Sequence, residues 1–198
     1  MTSLPDLAAI LSSNSDPSSP LARALALLFE PSSTLFDCLV PQLVPQLRLA
    51  RIDSYSDLID AALAVISAWS DSQKAEFIAG HPRIGEVKHL STLSAREQAS
   101  VATLPEVLAR LAHLNACYEK RYPGLRYITF VNGRSRAVIK DEMEGVLGFM
   151  PSRSPDQPEL PSIEPLDVEG DVWKNELERA VSDVGKIAQS RLSAFDAR

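Results

Sequence analysis

Helical periodicity is the feature that most constrains this chain, because it recurs in nearly every segment. Ser56 is the expected N-cap of a helix that runs through Trp69, and apolar residues in this stretch recur three or four positions apart, the spacing of one face of a helix. Three residue pairs also have capping-box spacing, in which side chains bond the free N–H groups of a first helical turn: Ser70 with Gln73, Ser94 with Glu97, and Thr103 with Glu106. The sequence therefore predicts an all-α fold of about seven to nine helices of ordinary length.

Two stretches depart from this helical pattern. The residues Tyr127, Ile128, Thr129, Phe130 and Val131 have β character, but no matching strand follows them, which predicts an extended segment. Gly148 to Gly170 holds five prolines, several acids and little apolar material. Such a composition is typical of an exposed segment, so we expect a flexible insertion at 148–170 within a single domain that spans 1–198.

Composition narrows the class of protein. The chain has 198 residues, 45% of them hydrophobic, and a formal net charge of −6, which argues against nucleic acid or an anionic membrane as the main partner. No apolar run is long enough to span a bilayer. The cysteines Cys38 and Cys117 form no CxxC pair and are interpreted as reduced thiols. With no targeting signal visible, we expect a cytoplasmic or peroxisomal protein.

The candidate catalytic residue is His81, which lies between two predicted helices. Pro82 disfavours a helical conformation at His81, and Gly80 and Gly85 suit a helix end and a turn. The imidazole is therefore expected on a short connection with a restricted backbone, where catalytic groups are often found. The alternative interpretation is a helix stop whose histidine only caps or packs.

Other polar groups have simple structural interpretations. His113 and Cys117 share a helix face, but a zinc site needs three or four ligands, so no metal is expected. For Glu97, a capping box with Ser94 is a sufficient structural interpretation, and a functional role is the alternative. Arg134 and Arg136 are either solvated or hold an anion, since cations beside the N-terminus of a helix are otherwise unfavourable.

Taken in order, these elements resemble the 2-oxo-4-hydroxy-4-carboxy-5-ureidoimidazoline (OHCU) decarboxylases of urate degradation. The resemblance depends on an ordered set of motifs: His81-Pro82, Ser94-x-x-Glu97-Gln98, Leu114-Asn115-x-x-Tyr118, the extended run and Gly133-Arg134-Ser135. Segments near both ends are also similar to the family: Leu25 to Pro31, Glu176, Ala180, Ile187-Ala188 and Arg191-Leu192. The stretch 148–170 is longer than the family resemblance leads us to expect.

The resemblance implies a cofactor-independent carboxy-lyase, typically a homodimer, that converts OHCU to (S)-allantoin. The catalytic residues of the family fall on His81 and Glu97. Its substrate-binding residues fall on Pro82, Ser94, Gln98, Tyr127, Ile128, Thr129, Phe130, Val131 and Arg134. Imidazole suits proton delivery because its ordinary pKa is about 6.5.

One departure concerns the substrate anion. Many members carry Arg where this chain has Asn132, and others place it two residues later, as in Arg134 here. Arg134 is the expected anion-holding residue, with Arg136 or Arg83 as substitutes. Two other functions stay open: a non-catalytic helical interaction module, and a lyase acting on a related ureido or carboxylated heterocycle.

Overall fold

The computed structural model describes residues 3–49, 51–86, 103–150 and 154–196, without the side chain of residue 196. These residues form eight α-helices and no strand, which confirms the predicted all-α class. The helices are α1 (Leu7–Leu11), α2 (Pro20–Leu28), α3 (Val40–Leu47), α4 (Tyr55–Ser67), α5 (Asp71–Ala79), α6 (Pro105–Arg121), α7 (Arg136–Leu147) and α8 (Asp171–Asp196). A π-helical turn, Leu35–Leu39, leads into α3, and a 3-10 turn covers Leu160–Ser162.

The helix starts show where local signals were sufficient. Ser70 and Gln73 form the predicted capping box at the start of α5. The predicted cap at Ser56 is wrong: Ser54 caps α4 by accepting from the N–H of Asp57 at 3.1 Å. Two serines so close together carry the same local signal, and the Ser56 hydroxyl instead bonds the side chain of Gln189 at 3.0 Å.

The predicted capping box of Thr103 is also wrong. Leu104 precedes the first turn of α6, and Pro105 at the first helical position begins the helix with its fixed φ. The Thr103 hydroxyl instead accepts a hydrogen bond from Arg136 Nη1 at 2.9 Å. A tertiary contact thus replaces the local one.

The chain divides into two compact units, Met1–His81 with Val181–Arg198, and Pro82–Ala180. The first unit has an aromatic cluster at its centre, in which the Phe77 ring lies 6.2 Å from Phe29 and 5.7 Å from Trp69 between centroids. A buried ion pair joins Arg191 Nη2 to Glu30 Oε1 at 2.6 Å. Glu30 has a φ of 111°, a region that non-glycine residues avoid, so this anchored carboxylate stands at a strained backbone position.

The second unit is built on α6 and α7. Leu111, Leu114, Cys117 and Tyr118 of α6 are fully buried, as are Ile139 and Met143 of α7. A second buried ion pair, Arg110 Nε to Glu144 Oε1 at 2.7 Å, joins these two helices. The core of this unit therefore lies along α6.

The proline-rich stretch of the second unit is bonded along α6. The carbonyl of Pro158 lies 2.9 Å from His113 Nε2, and that of Leu160 accepts from Lys120 Nζ at 2.8 Å. The backbone N–H of Leu166 donates to the carbonyl of Arg121 at 2.8 Å. The segment predicted as a flexible insertion thus has several fixed contacts with one helix.

Candidate active site

His81 is held at the end of α5 by its own unit. The side chain is 4% exposed, and its Nδ1 lies 3.2 Å from the carbonyl oxygen of Phe77. A carbonyl only accepts, so Nδ1 carries the proton of that contact and, in the neutral ring, Nε2 is the basic nitrogen. The Phe77 ring meets the imidazole edge-on at 5.3 Å between centroids. These contacts fix both the orientation and the tautomer of the candidate catalyst.

The connection after His81 belongs to the second unit and forms a tight turn. The N–H of Glu86 donates to the carbonyl of Arg83 at 3.1 Å, and Gly85 supplies the left-handed conformation that the turn needs, at φ 81°. Arg83 makes a two-pronged ion pair with Glu119 of α6, at 2.6 and 2.9 Å. The bond to Glu119 raises the pKa of Arg83, so its charge is already matched by a carboxylate.

A cavity of about 320 Å³ lies between this turn and α6, within the second unit. The lining residues are Arg83, Ile84, Gly85, Glu86, Ala112, Asn115, Ala116 and Glu119. On the side of α6 the wall includes Ala112 and Ala116, and their small side chains leave the space open. Asn115 is 4% exposed and donates from Nδ2 to the carbonyl of Ile84 at 3.0 Å.

The predicted extended run, 127–131, has neither helix, turn nor bend and pairs with no strand in the described residues. Its carbonyls are held by two arginines. Arg179 Nη1 donates to the carbonyl of Ile128 at 2.8 Å. Arg134 donates from Nε to the carbonyl of Val131 at 3.0 Å and from Nη2 to that of Phe130.

These bonds decide which backbone groups of the run remain for a ligand. Three carbonyls are engaged, whereas the N–H groups of Ile128, Thr129 and Val131 have no hydrogen-bond partner among the described residues. The run therefore presents hydrogen-bond donors more than acceptors. Such a surface suits carbonyl and carboxylate oxygens.

The arginines near this run differ in how much of their charge is matched. Arg134 also donates from Nη2 to Thr129 Oγ1 at 3.0 Å, and its Nη1 pairs with Glu142. Of its five N–H groups, one on Nη1 is not engaged by these contacts. Arg136 bonds Thr103 and has its pKa lowered by burial.

The other predicted site residues, Ser94, Glu97 and Gln98, lie outside the described residues. Sequence reasoning did not assign a role to Asn115, Glu176 or Arg179, although each contacts a candidate element or supports a group that does. Asn115 and Glu176 are visible in the sequence as parts of the family resemblance, and Arg179 only as a polar residue on an amphipathic helix. Within the described residues, no three His, Cys, Asp or Glu side chains come together as metal ligands would.

The comparison with protein families is decisive for classification. The model of the OHCU decarboxylase family matches residues 14–151, which include His81 and Arg134. The chain belongs to the OHCU decarboxylase family. The matched residues cover all the predicted site positions and end before α8 begins.

A solved structure is similar in fold to this family member. The crystal structure of (S)-allantoin synthase aligns over 94% of this chain with a TM-score of 0.53 and 21% identity. This chain spans about half of that protein, 52% of its chain. At this identity the likeness establishes the fold alone. No curated protein matches the chain, and no described helix is long and apolar enough to cross a membrane.

The structure also explains two segments of the family resemblance that lie far apart in sequence. Glu30, from the segment Leu25 to Pro31, pairs with Arg191 of α8 inside the first unit. Glu176 of α8 accepts from the buried Tyr118 hydroxyl at 2.6 Å inside the second unit. Part of the family resemblance therefore consists of residues that form buried electrostatic contacts.

Proposed function

We propose that this chain decarboxylates OHCU and protonates the product on one face to give (S)-allantoin. The carbon–carbon bond to the carboxylate breaks, CO₂ leaves, and the electron pair moves toward the adjacent C=N bond of the ring. The reaction takes up one proton overall. The nitrogen of that C=N bond gains a proton, and so does the ring carbon that carries the ureido group. The hydroxyl loses its proton as its carbon becomes a carbonyl. The substrate thus supplies its own electron sink.

The observation that carries this proposal is the setting of His81. Its Nδ1–H is directed to the Phe77 carbonyl, so Nε2 is the nitrogen that gains and gives a proton. A ring with one fixed tautomer and one fixed orientation can deliver a proton to one face. Stereospecific protonation needs that property.

The other roles follow from the family resemblance and from the extended run. Glu97 and Gln98 are proposed to bond the ureido and ring N–H groups, with Pro82 and Ser94 shaping the wall. The N–H groups of Ile128, Thr129 and Val131 would donate to carbonyl or carboxylate oxygens of the substrate. Arg134 is proposed to hold the anion through its remaining N–H, which is supported by its place beside these donors.

The test is turnover of freshly generated OHCU by the wild type and by two histidine variants. His81→Ala removes the proposed acid, and His113→Ala removes a histidine that lies on α6 against the Pro158 carbonyl. We expect the wild type and His113→Ala to speed decay of OHCU alike. His81→Ala should lose about 10² to 10⁴ of that rate, the usual contribution of acid–base catalysis. Equal rates for both variants would contradict the role of His81.

We also propose, on the family resemblance, that the protein is a homodimer of the cytoplasm or the peroxisome. Sedimentation at several protein concentrations tests the first part. A mass near twice 21.6 kDa is expected, and a mass of one chain at every concentration would contradict it.

A further inference from the structure

Two polar residues of α6 lie one helical turn apart and reach different chain segments. Asn115 and Tyr118 are three positions apart, so their side chains project from neighbouring points of the helix surface. Asn115 donates to the carbonyl of Ile84, in the turn that follows His81 and Pro82. Tyr118 donates to Glu176, and Glu176 is bonded to Arg179, which contacts the extended run. Neither residue has a role in the proposed chemistry itself.

The Asn115 contact fixes the turn at its middle. Only the amide nitrogen can donate to a carbonyl, so the side-chain orientation is determined, and Oδ1 has no partner among the described residues. Gly85 lies against Leu111, which leaves 3.2 Å between Leu111 Cδ1 and a Cβ added at Gly85. The cavity of about 320 Å³ beside the turn gives the chain room to shift once a tether is removed.

The Tyr118 contact reaches the extended run through two charged groups. Its hydroxyl donates to Glu176 Oε1 at 2.6 Å, and Arg179 bonds both oxygens of Glu176, at 2.7 and 2.8 Å. Arg179 Nη1 then donates to the carbonyl of Ile128. The guanidinium also lies 5.3 Å above the centre of the Tyr127 ring. The orientation of Arg179 therefore depends on Glu176, which Tyr118 holds.

We infer that Asn115 and Tyr118 are positioning residues, Asn115 for the turn that follows His81 and Pro82, and Tyr118 for the run whose N–H groups are proposed to bind the substrate. This inference rests on the proposed function. The motif Leu114-Asn115-x-x-Tyr118 thus has a positioning role, which the proposed chemistry alone does not require. One turn of α6 sets the places of two segments that are 44 residues apart, at positions 84 and 128.

The experiment compares steady-state kinetics of three variants with OHCU as substrate. Asn115→Asp keeps the shape but removes the donor, and Tyr118→Phe removes only the hydroxyl. Tyr122→Phe is the matched control, because its ring stacks on Tyr118 at 4.8 Å and its hydroxyl has no hydrogen bond among the described residues. Thermal unfolding of each variant gives the folded fraction, by which kcat is corrected.

The two variants should fail in different ways. Asn115→Asp should lower kcat about tenfold to a hundredfold with KM changed less than about threefold, because the turn that directly follows the proposed proton donor loses its tether. Tyr118→Phe should raise KM about tenfold with a smaller change in kcat, because substrate-binding N–H groups move. Tyr122→Phe should stay within about twofold of the wild type in both constants.

The outcomes separate this inference from the proposed function. A wild type that does not speed OHCU decay refutes the proposed function. If the wild type is active but Asn115→Asp and Tyr118→Phe have the same kcat and KM as Tyr122→Phe, the inference alone is overturned. It is also overturned if Asn115→Asp and Tyr118→Phe change kcat and KM in the same way as each other. If Asn115→Asp does not fold, Asn115→Ser takes its place, and Arg179→Lys tests the Tyr118 side with the same expected rise in KM.

Discussion

The pair of Arg191 and Glu30 gives the sharpest prediction about stability. Both side chains are nearly inaccessible, at 4% and 6% exposure, and their charged atoms lie 2.6 Å apart. Arg191→Met keeps the length of the stem but leaves the Glu30 carboxylate buried without its main counter-charge. Removing one partner of a buried ion pair costs about 3–5 kcal/mol, whereas small domains unfold with about 5–15 kcal/mol. Arg191→Met should therefore lose roughly two fifths of the folding free energy, taking the midpoints of these ranges.

Urea unfolding followed by far-ultraviolet circular dichroism measures this loss. The double variant Arg191→Met with Glu30→Gln should recover roughly half of it, since an amide is less costly to bury than an unmatched carboxylate. The control is Arg51→Met, which breaks the ion pair between Arg51 and Asp53. These side chains are 89% and 62% exposed, so the substitution should cost less than about 1 kcal/mol. A loss below about 1 kcal/mol for Arg191→Met, or no recovery in the double variant, would refute the reasoning.

Three other substitutions test the packing and the titration of buried groups. Gly80→Ala should destabilise by about 1–3 kcal/mol in urea unfolding, because its Cβ would lie 2.7 Å from Ser32 Cβ, an atom next to the backbone. Gly185→Ala should be neutral or stabilising by up to about 1 kcal/mol, since the helix gains an alanine and the atom it meets is the flexible end of Leu63, at 2.8 Å; a larger loss than for Gly80→Ala would contradict the contrast. Burial, with the nearby Glu176 charge, raises the pKa of Tyr118 in the folded protein. The neutral Tyr118 therefore stabilises the fold at pH values below the ordinary tyrosine pKa near 10, and this stabilisation is lost as pH rises above about 10. Unfolding at pH 8 and 10.5 should show a smaller alkaline loss for Tyr118→Phe than for the wild type, and equal losses would count against this origin.

The fold class was predictable because its determinants are local. Apolar stripes and the Ser70 capping box depend on residues within one or two turns, and the structure follows them. The failures at Ser56 and Thr103 have one cause, which is competition from tertiary partners. Gln189 takes one hydroxyl and Arg136 bonds the other, and neither partner lies near in sequence.

The candidate site was predictable only in part, for a related reason. The sequence indicates the His81-Pro82 connection because proline restricts the backbone before it, and it indicates the run 127–131 because these residues favour an extended conformation. The contacts that orient these elements come from Asn115 and Arg179, which are dozens of residues away. No periodicity indicates that an arginine of α8 bonds the carbonyl of Ile128.

The engagement of Arg134 was not predictable either. The sequence places it at the start of α7, where an unmatched cation would be unfavourable, and this suggested an anionic ligand. In the structure Glu142, two turns along α7, supplies a negative charge. The proposed role of Arg134 in substrate binding therefore depends on one N–H group rather than on the whole guanidinium.

The measurement that tests the central claim most directly is the enantiomeric composition of the allantoin formed from fresh OHCU, recorded by circular dichroism. With the wild type, we predict (S)-allantoin alone, formed faster than in buffer. With His81→Ala, we predict the slow racemic product of the uncatalysed reaction. Racemic allantoin at the buffer rate from the wild type would contradict the account.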